Sequence, residues 1–142
     1  MKKMSYKIIG KYIKNLNFSI PNSKSFFLLS KNISNYKINI DIKSNQLDKN
    51  IVEIILTLSL IPVRNDFEKI NTKIEFSTII QLTDGSISKD EIEKIVLIYV
   101  PTEIYAELRK IFVSLFENSG FKDVKINETV DFEKLYKMRK VQ

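Results

Sequence analysis

Side-chain chemistry needs nucleophiles, bases and metal ligands, and this chain is poor in all three. Its 142 residues include no histidine and no cysteine. That removes the commonest general base, the commonest metal ligand, the thiolate nucleophile and any disulfide. A carboxylate-only site, for magnesium or for acid–base work, stays open, but no motif organises the 17 acidic residues. Gly10, Gly85 and Gly120 are isolated and read as a bend, a turn and a helix cap, so no Gly-rich phosphate loop is present. No cofactor motif is found. The features able to do something are adhesive. Phe26-Phe27-Leu28-Leu29 is an apolar run in otherwise polar surroundings, and four such residues in a row seldom sit in solvent without a partner.

Charge is unevenly spread. Residues 1–40 hold eight lysines and no acidic residue, whereas the whole chain carries +6. Tyr6, Tyr12, Phe18, Phe26, Phe27 and Tyr36 are interleaved with these lysines. Such a surface suits single-stranded nucleic acid, through base stacking and phosphate contacts. Lysines alternating with apolar residues are also what half-buried strands look like, and that reading is favoured. Nucleic acid is therefore the weaker partner class.

These residues must be positioned by strands first and helices last. A strand is expected over Tyr6 to Phe18, with Gly10 as a bulge or bend, then an irregular loop from Pro21 to Asn35. Tyr36 to Lys43 alternates cleanly, with Tyr36, Ile38, Ile40 and Ile42 on one face. Ile51 to Val63 puts Val52, Ile54, Leu56, Leu58 and Leu60 on one face and a mixed set on the other. Asn65-Asp66 turns the chain into a fourth strand, Lys69 to Leu82. Ser88-Lys-Asp-Glu91 fits a capping box that opens a helix, which should stop near Tyr99, before Pro101. A second helix is expected over Thr102 to Asn118 with one broad apolar stripe, and a short basic one over Phe132 to Lys140. Strands followed by helices predict a single α+β domain: a four-stranded antiparallel sheet followed by two to three helices. The hydrophobic fraction of 44% argues against disorder. The longest apolar-rich run is shorter than the roughly 20 residues a bilayer span needs, no signal peptide is seen, and the expected location is cytoplasmic.

Tyr12-Ile-Lys-Asn-Leu-Asn-Phe-Ser-Ile-Pro-Asn22 resembles the Tyr-x-Lys-Asp-Leu-Ser-Phe-Glu-x-Pro-Asn signature of the SecB export chaperones. Val52-Glu53-Ile54-Ile55-Leu56 is similar to that family's Tyr-Glu-Val-Val-Leu strand. Val100-Pro101 with Tyr105 and Arg109 is similar to Cys-Pro-Asn-x-Leu-Phe-Pro-Tyr-x-Arg, although Thr102, Ala106 and Glu107 replace Asn, Pro and Tyr. Gly120-Phe121 and Val130-Asp131-Phe132-Glu133-Lys134-Leu135-Tyr136 resemble the family's Gly-Phe-Pro, with Lys122 in place of the proline, and Pro-Val-Asn-Phe-Asp-Ala-Leu-Tyr. The order and spacing hold over residues 6–136.

The resemblance implies an ATP-independent holdase, not an enzyme, working as a homotetramer, a dimer of dimers with helices between two composite sheets. It would keep unfolded preproteins translocation-competent in apolar grooves between sheet and helices. Candidate groove residues are Phe26, Phe27, Leu28, Tyr36, Ile79, Ile80, Tyr99 and Tyr105. The family passes clients to the SecA motor through acidic positions that correspond here to Asn15, Ser19 and Lys73, with Asn71 at the position of an exposed leucine. Acidic character is lost at each, and a basic surface would repel a domain selected for negative ones by several kT. SecA is thus a doubtful partner. A dedicated client, such as the antitoxin of a toxin–antitoxin system, fits these losses as well. A basic nucleic-acid-binding domain and a purely structural adaptor are the alternatives.

Overall fold

The computed structural model describes residues 5–31, 36–62, 71–83, 85–121 and 126–141. The expected turn at Asn65-Asp66 and the first two residues of the expected fourth strand lie outside the described residues. Four strands form one antiparallel sheet: β1 (Tyr6–Ser19), β2 (Tyr36–Asp48), β3 (Ile51–Pro62) and β4 (Asn71–Leu82), in the order β1-β4-β3-β2. β3 and β4 are therefore interior, and β1 and β2 are the edges. The α+β class expected from the sequence is the class observed.

Register assigns the two faces. Val52, Ile54, Leu56 and Leu58 pair with Ile80, Thr78, Phe76 and Ile74, and this face lies beneath the helices. Ile38, Ile40 and Ile42 of β2 extend it to one side by pairing with Leu60, Leu58 and Leu56. The opposite face carries Glu53, Ile55 and Thr57 of β3 and Ser77 of β4, all buried. β1 slips register twice, between Ile8 and Gly10 and again between Ile13 and Asn15. The first irregularity falls beside the predicted bend at Gly10.

The loop expected between Pro21 and Asn35 contains a helix, α1 (Ser23–Lys31). Asn22 opens it: its Oδ1 accepts the Ser25 N–H at 2.8 Å, and its carbonyl accepts the Phe26 N–H at 3.1 Å. Phe26 and Leu29, three apart, turn inward, and Phe26 stacks on Phe121 with ring centroids 4.8 Å apart.

After the sheet, α2 (Lys89–Lys94) starts at Ser88, whose Oγ accepts the Glu91 N–H at 3.2 Å, one half of the predicted capping box. The expected break at Tyr99 does not occur. A π-helical turn (Ile95–Tyr99) joins α2 directly to α3 (Val100–Asn118), and the Val100 N–H reaches the Ile95 carbonyl. Pro101 cannot donate, and in an α-helix its ring would collide with the Leu97 carbonyl. The wider turn accommodates the proline near the start of α3, so the arm continues where local rules ended it. Gly120, at φ 99°, closes α3: Phe121 N–H bonds the Phe116 carbonyl and Gly120 N–H bonds that of Glu117. This is the double bond of a Schellman cap, with Phe121 packed on Phe116. The last helix, α4, spans Phe132–Val141. β1 is tied to α3 by Tyr6 Oη donating to Glu103, by the Lys11–Glu107 ion pair and by the edge contact of Phe18 with Phe116.

Candidate functional site

The helical arm seals the inner face of β3 and β4 but not the whole of β2. Ile38, Ile40 and Ile42 remain only half-buried. At about 3.3 Å per residue they lay an apolar floor roughly 13 Å long. Three hollows follow this floor. At the Ile38 end, Tyr105, Ile126, Val130, Leu135 and Met138 help enclose about 420 Å³. The middle one, about 150 Å³, is bounded by Ile40, Ile42, Leu97, Leu135 and Tyr136. At the Ile42 end, Ile92, Val96 and Leu97 border about 520 Å³. Shared walls join them into one trough: Ile40 and Leu135 line the first two, and Ile42, Leu97 and Arg139 line the last two. α4 forms the outer bank, with Leu135 and Met138, three apart, among the exposed large apolar residues.

Not every predicted groove residue lies on this trough. Tyr105 does. It is buried, its hydroxyl donates to the Asn127 carbonyl at 2.8 Å, and burial pushes its pKa up against the opposing charge of Arg109. Tyr99 borders a separate hollow of about 550 Å³ with Tyr6, Ile95, Ile98 and Phe132. There, burial foremost and then the bond to Glu103 push the Tyr6 phenol upward. Ile79 and Ile80, as neighbours on a strand, point to opposite faces. Ile80 is fully buried under the helices and Ile79 half-buried on the other side, so the two cannot share a groove. Phe26 is held against Phe121, whereas Phe27 is 60% exposed. The side chains of Leu28 and Tyr36 lie outside the described set. Sequence reasoning missed Ile38, Ile40, Ile42, Leu97, Leu135 and Met138 as site residues. The alternation of β2 identified three of them as apolar, but only the order of the sheet shows that they flank an edge.

The second surface is the sheet face away from the helices. Glu53, 5% exposed, sits at its centre and joins three strands. Its Oε2 accepts from Ser77 Oγ at 2.6 Å and from Tyr12 Oη at 2.7 Å, and Lys14 Nζ lies 3.5 Å from Oε1. The bonds from Ser77 and Tyr12, helped by the charge of Lys14 and a bond from Asn45, outweigh burial and hold this carboxyl at about 2. It is a staple, with its lone pairs already engaged. Towards one end of the same face, register sets Asn15 opposite Glu75, Asn17 opposite Lys73 and Ser19 opposite Asn71. All four positions singled out for SecA contact thus fall on one face. Asn71's side chain lies outside the described set. Glu75, the carboxylate among them, accepts from Asn15 and pairs with Lys73 at 3.8 Å.

The family model described as preprotein translocase subunit SecB matches residues 1–142. The chain belongs to the SecB family. A putative protein-export protein SecB of Pelagibacter ubique is 34% identical over 135 residues, spanning 95% of this chain and 96% of its own length. The protein-export protein SecB of Nitrosospira multiformis is 27% identical over 131 residues, covering 92% of this chain and 80% of that one. Among solved structures, a SecB-like chaperone of Mycobacterium tuberculosis, in complex with a peptide from the HigA1 antitoxin, matches with a TM-score of 0.66. The match covers 89% of this chain and 88% of that chain at 9% identity, so the likeness is one of fold. The α+β reading and the SecB resemblance drawn from motif order are both upheld. Among the described residues no helix is long and apolar enough to cross a membrane.

Proposed function

We propose that this SecB-family protein is an ATP-independent holdase that keeps extended, unfolded polypeptide in the trough beside β2. The observation that carries the reading is the continuity of three hollows along Ile38, Ile40 and Ile42, open at an edge strand. An unfolded chain presents apolar side chains at irregular intervals, and a trough accepts what a shaped pocket would reject. Each apolar side chain buried there contributes roughly 1.5–3 kcal/mol, so a few contacts suffice for useful affinity. Phe27, displayed on α1, adds a further contact. Clients are unfolded preproteins in export or one dedicated protein.

Assembly follows from the other edge. Ile13 and Leu16 of β1 are 44% and 38% exposed, and Ile9 and Tyr12 are likewise exposed. An edge strand that shows this much apolar surface calls for cover. A second copy pairing along β1 would supply it, on the way to a dimer of dimers.

Coupling to SecA is weak or absent in this reading, because Asn15, Ser19 and Lys73 carry no acid and, among the described residues on that end of the sheet, the carboxylate is Glu75, partly neutralised by Lys73. The dedicated-client alternative is favoured by the same observation. It also agrees in kind with the mycobacterial protein, whose structure holds an antitoxin peptide. Nucleic-acid binding is disfavoured: Lys11 and Lys14, in the most basic part of the chain, pair with Glu107 and Glu53.

Light scattering of a denatured, diluted client with and without the purified protein tests the central reading. Suppressed aggregation in the absence of ATP, by a species with the mass of four chains, is expected. Unchanged aggregation at excess protein overturns it.

A further inference from the structure

The Ile42 end of the trough differs in charge from the rest. Its apolar floor of Ile42, Ile92 and Leu97 is bordered by Lys43, Lys89 and Arg139, against one acid, Glu93. Among the described residues none of these three cations makes an ion pair, although Lys11, Lys14, Lys73 and Lys137 do. Among the described residues, Lys134 and Asp131 both line the Ile38 end, and Asp41 lines the middle with Arg139, which the middle shares with the Ile42 end. With Arg139 set against Asp41, the first two hollows are balanced and the Ile42 end keeps Lys43 and Lys89 against Glu93. Lys89 occupies the first turn of α2, where the helix dipole disfavours a positive charge. Among the described residues neither Lys89 nor Lys43 of the edge strand has an acidic partner.

We infer that this end of the trough selects client segments in which an apolar residue is flanked by Asp or Glu. The apolar side chain enters the hollow over Ile42 and Leu97. The neighbouring carboxylates meet Lys43, Lys89 and Arg139. This rests on the holdase reading and adds to it a substrate class and a direction, with the acidic stretch of the client at the Ile42 end. The occupant is an extended polypeptide because the hollow is continuous with the floor of β2, which a compact anion would not need.

The test uses the full-length protein and two fluorescein-labelled dodecapeptides with the same Leu-Val-Phe centre, one flanked by Asp and Glu, the other by Lys. In anisotropy titrations at low salt, the acidic-flanked peptide is expected to bind about two- to fivefold more tightly, since a net excess of one exposed charge supports a preference of that order. In 0.5 M salt, where screening acts within a few ångströms, the preference should shrink towards unity. The double variant Lys43→Gln/Lys89→Gln should lose most of it, whereas Lys7→Gln/Lys110→Gln, which changes net charge equally elsewhere on the surface, should keep it. Equal affinities, a preference for the lysine-flanked peptide, or equal losses in both double variants would overturn the inference. Aggregation suppression measured on the same samples separates the two levels: a protein that protects a client yet shows no preference fails only here, and one that protects nothing fails the holdase reading as well.

Discussion

Phe27→Ser separates holding from folding. The side chain stands on α1 with 60% of its surface in solvent, while its neighbours Phe26 and Leu29 carry the attachment of that helix. A phenylalanine covers about 200 Å² when fully buried, so about 120 Å² of Phe27 remains for a client to cover. At about 25 cal/mol per Å² that is at most about 3 kcal/mol, and with incomplete contact about 1–2 kcal/mol. The variant should bind a labelled, permanently unfolded client about five- to thirtyfold more weakly, read by anisotropy. Its urea midpoint should move little, because an exposed surface substitution usually changes stability by no more than about 0.5 kcal/mol. Phe26→Ala is the matched contrast. That ring packs against Phe121 and Phe27, and its removal should cost about 3 kcal/mol of stability. Undiminished client affinity in Phe27→Ser would refute the role given to α1. So would an affinity loss that tracks an equal loss of stability, since the side chain would then be acting through the fold.

The remaining predictions concern stability and assembly. Glu53 has a folded pKa of about 2 against 4.5 unfolded, so its carboxylate stabilises the fold fully above pH 4.5 and progressively less as pH falls towards 2. That depression corresponds to about 3 kcal/mol at neutral pH; Glu53→Gln should show that deficit in urea titrations at pH 7 and almost none near pH 2, and a pH-independent deficit would contradict the staple. Thr78 is completely buried on the helix-facing side with no hydrogen-bond partner for Oγ1, so Thr78→Val should raise stability by about 1 kcal/mol in the same titration. Gly120→Ala forces a side chain into φ 99° with Phe26 3.4 Å from the new Cβ, and should cost about 1–2 kcal/mol by thermal unfolding. Ile13→Asp together with Leu16→Asp should reduce the mass measured by light scattering without unfolding the protomer; an unchanged mass would exclude the β1 edge as the assembly surface.

What could be read from the sequence was what local rules govern. The alternation of Ile38, Ile40 and Ile42 and of Val52 through Leu60 fixed two strands and their inner faces, because period-two patterning follows directly from strand geometry. Ser88 and Gly120 marked helix ends for equally local reasons. α1 escaped because a nine-residue helix has little stability of its own. Asn22 was a visible cap, but Phe26 and Leu29 hold the helix only once Phe121, almost a hundred residues later, is in place. The π turn escaped for a related reason: Pro101 ends an α-helix by local rule, and packing of Ile95, Val96 and Val100 into the core carries the chain through it. The trough was the least legible feature. None of its residues is unusual in type, and it exists because β2 is last in the order β1-β4-β3-β2 and α4 lies beside it.

That order gives a geometric reason for the two adhesive flanks. Strands lie about 4.8 Å apart and a helix with its side chains is about 10 Å wide, so one helical arm covers about two strands. The arm α2–α3 sits over the interior pair, where Ile54, Leu56, Leu58, Ile74 and Ile80 have no exposed surface at all. A four-stranded sheet with an apolar face then keeps apolar surface at its edges that other elements cover only in part. Here one flank keeps Ile13 and Leu16 in solvent, and the other is widened into hollows by α4 standing off β2. The two are chemically alike but differ in shape: an open strand edge can pair in register with an identical strand, whereas a banked trough excludes a folded partner and admits a single extended chain. The proposed self-assembly at β1 and client capture at β2 would be the separate uses of one surplus of apolar surface. They predict that the β1 double aspartate substitution lowers mass before it lowers affinity for a short peptide.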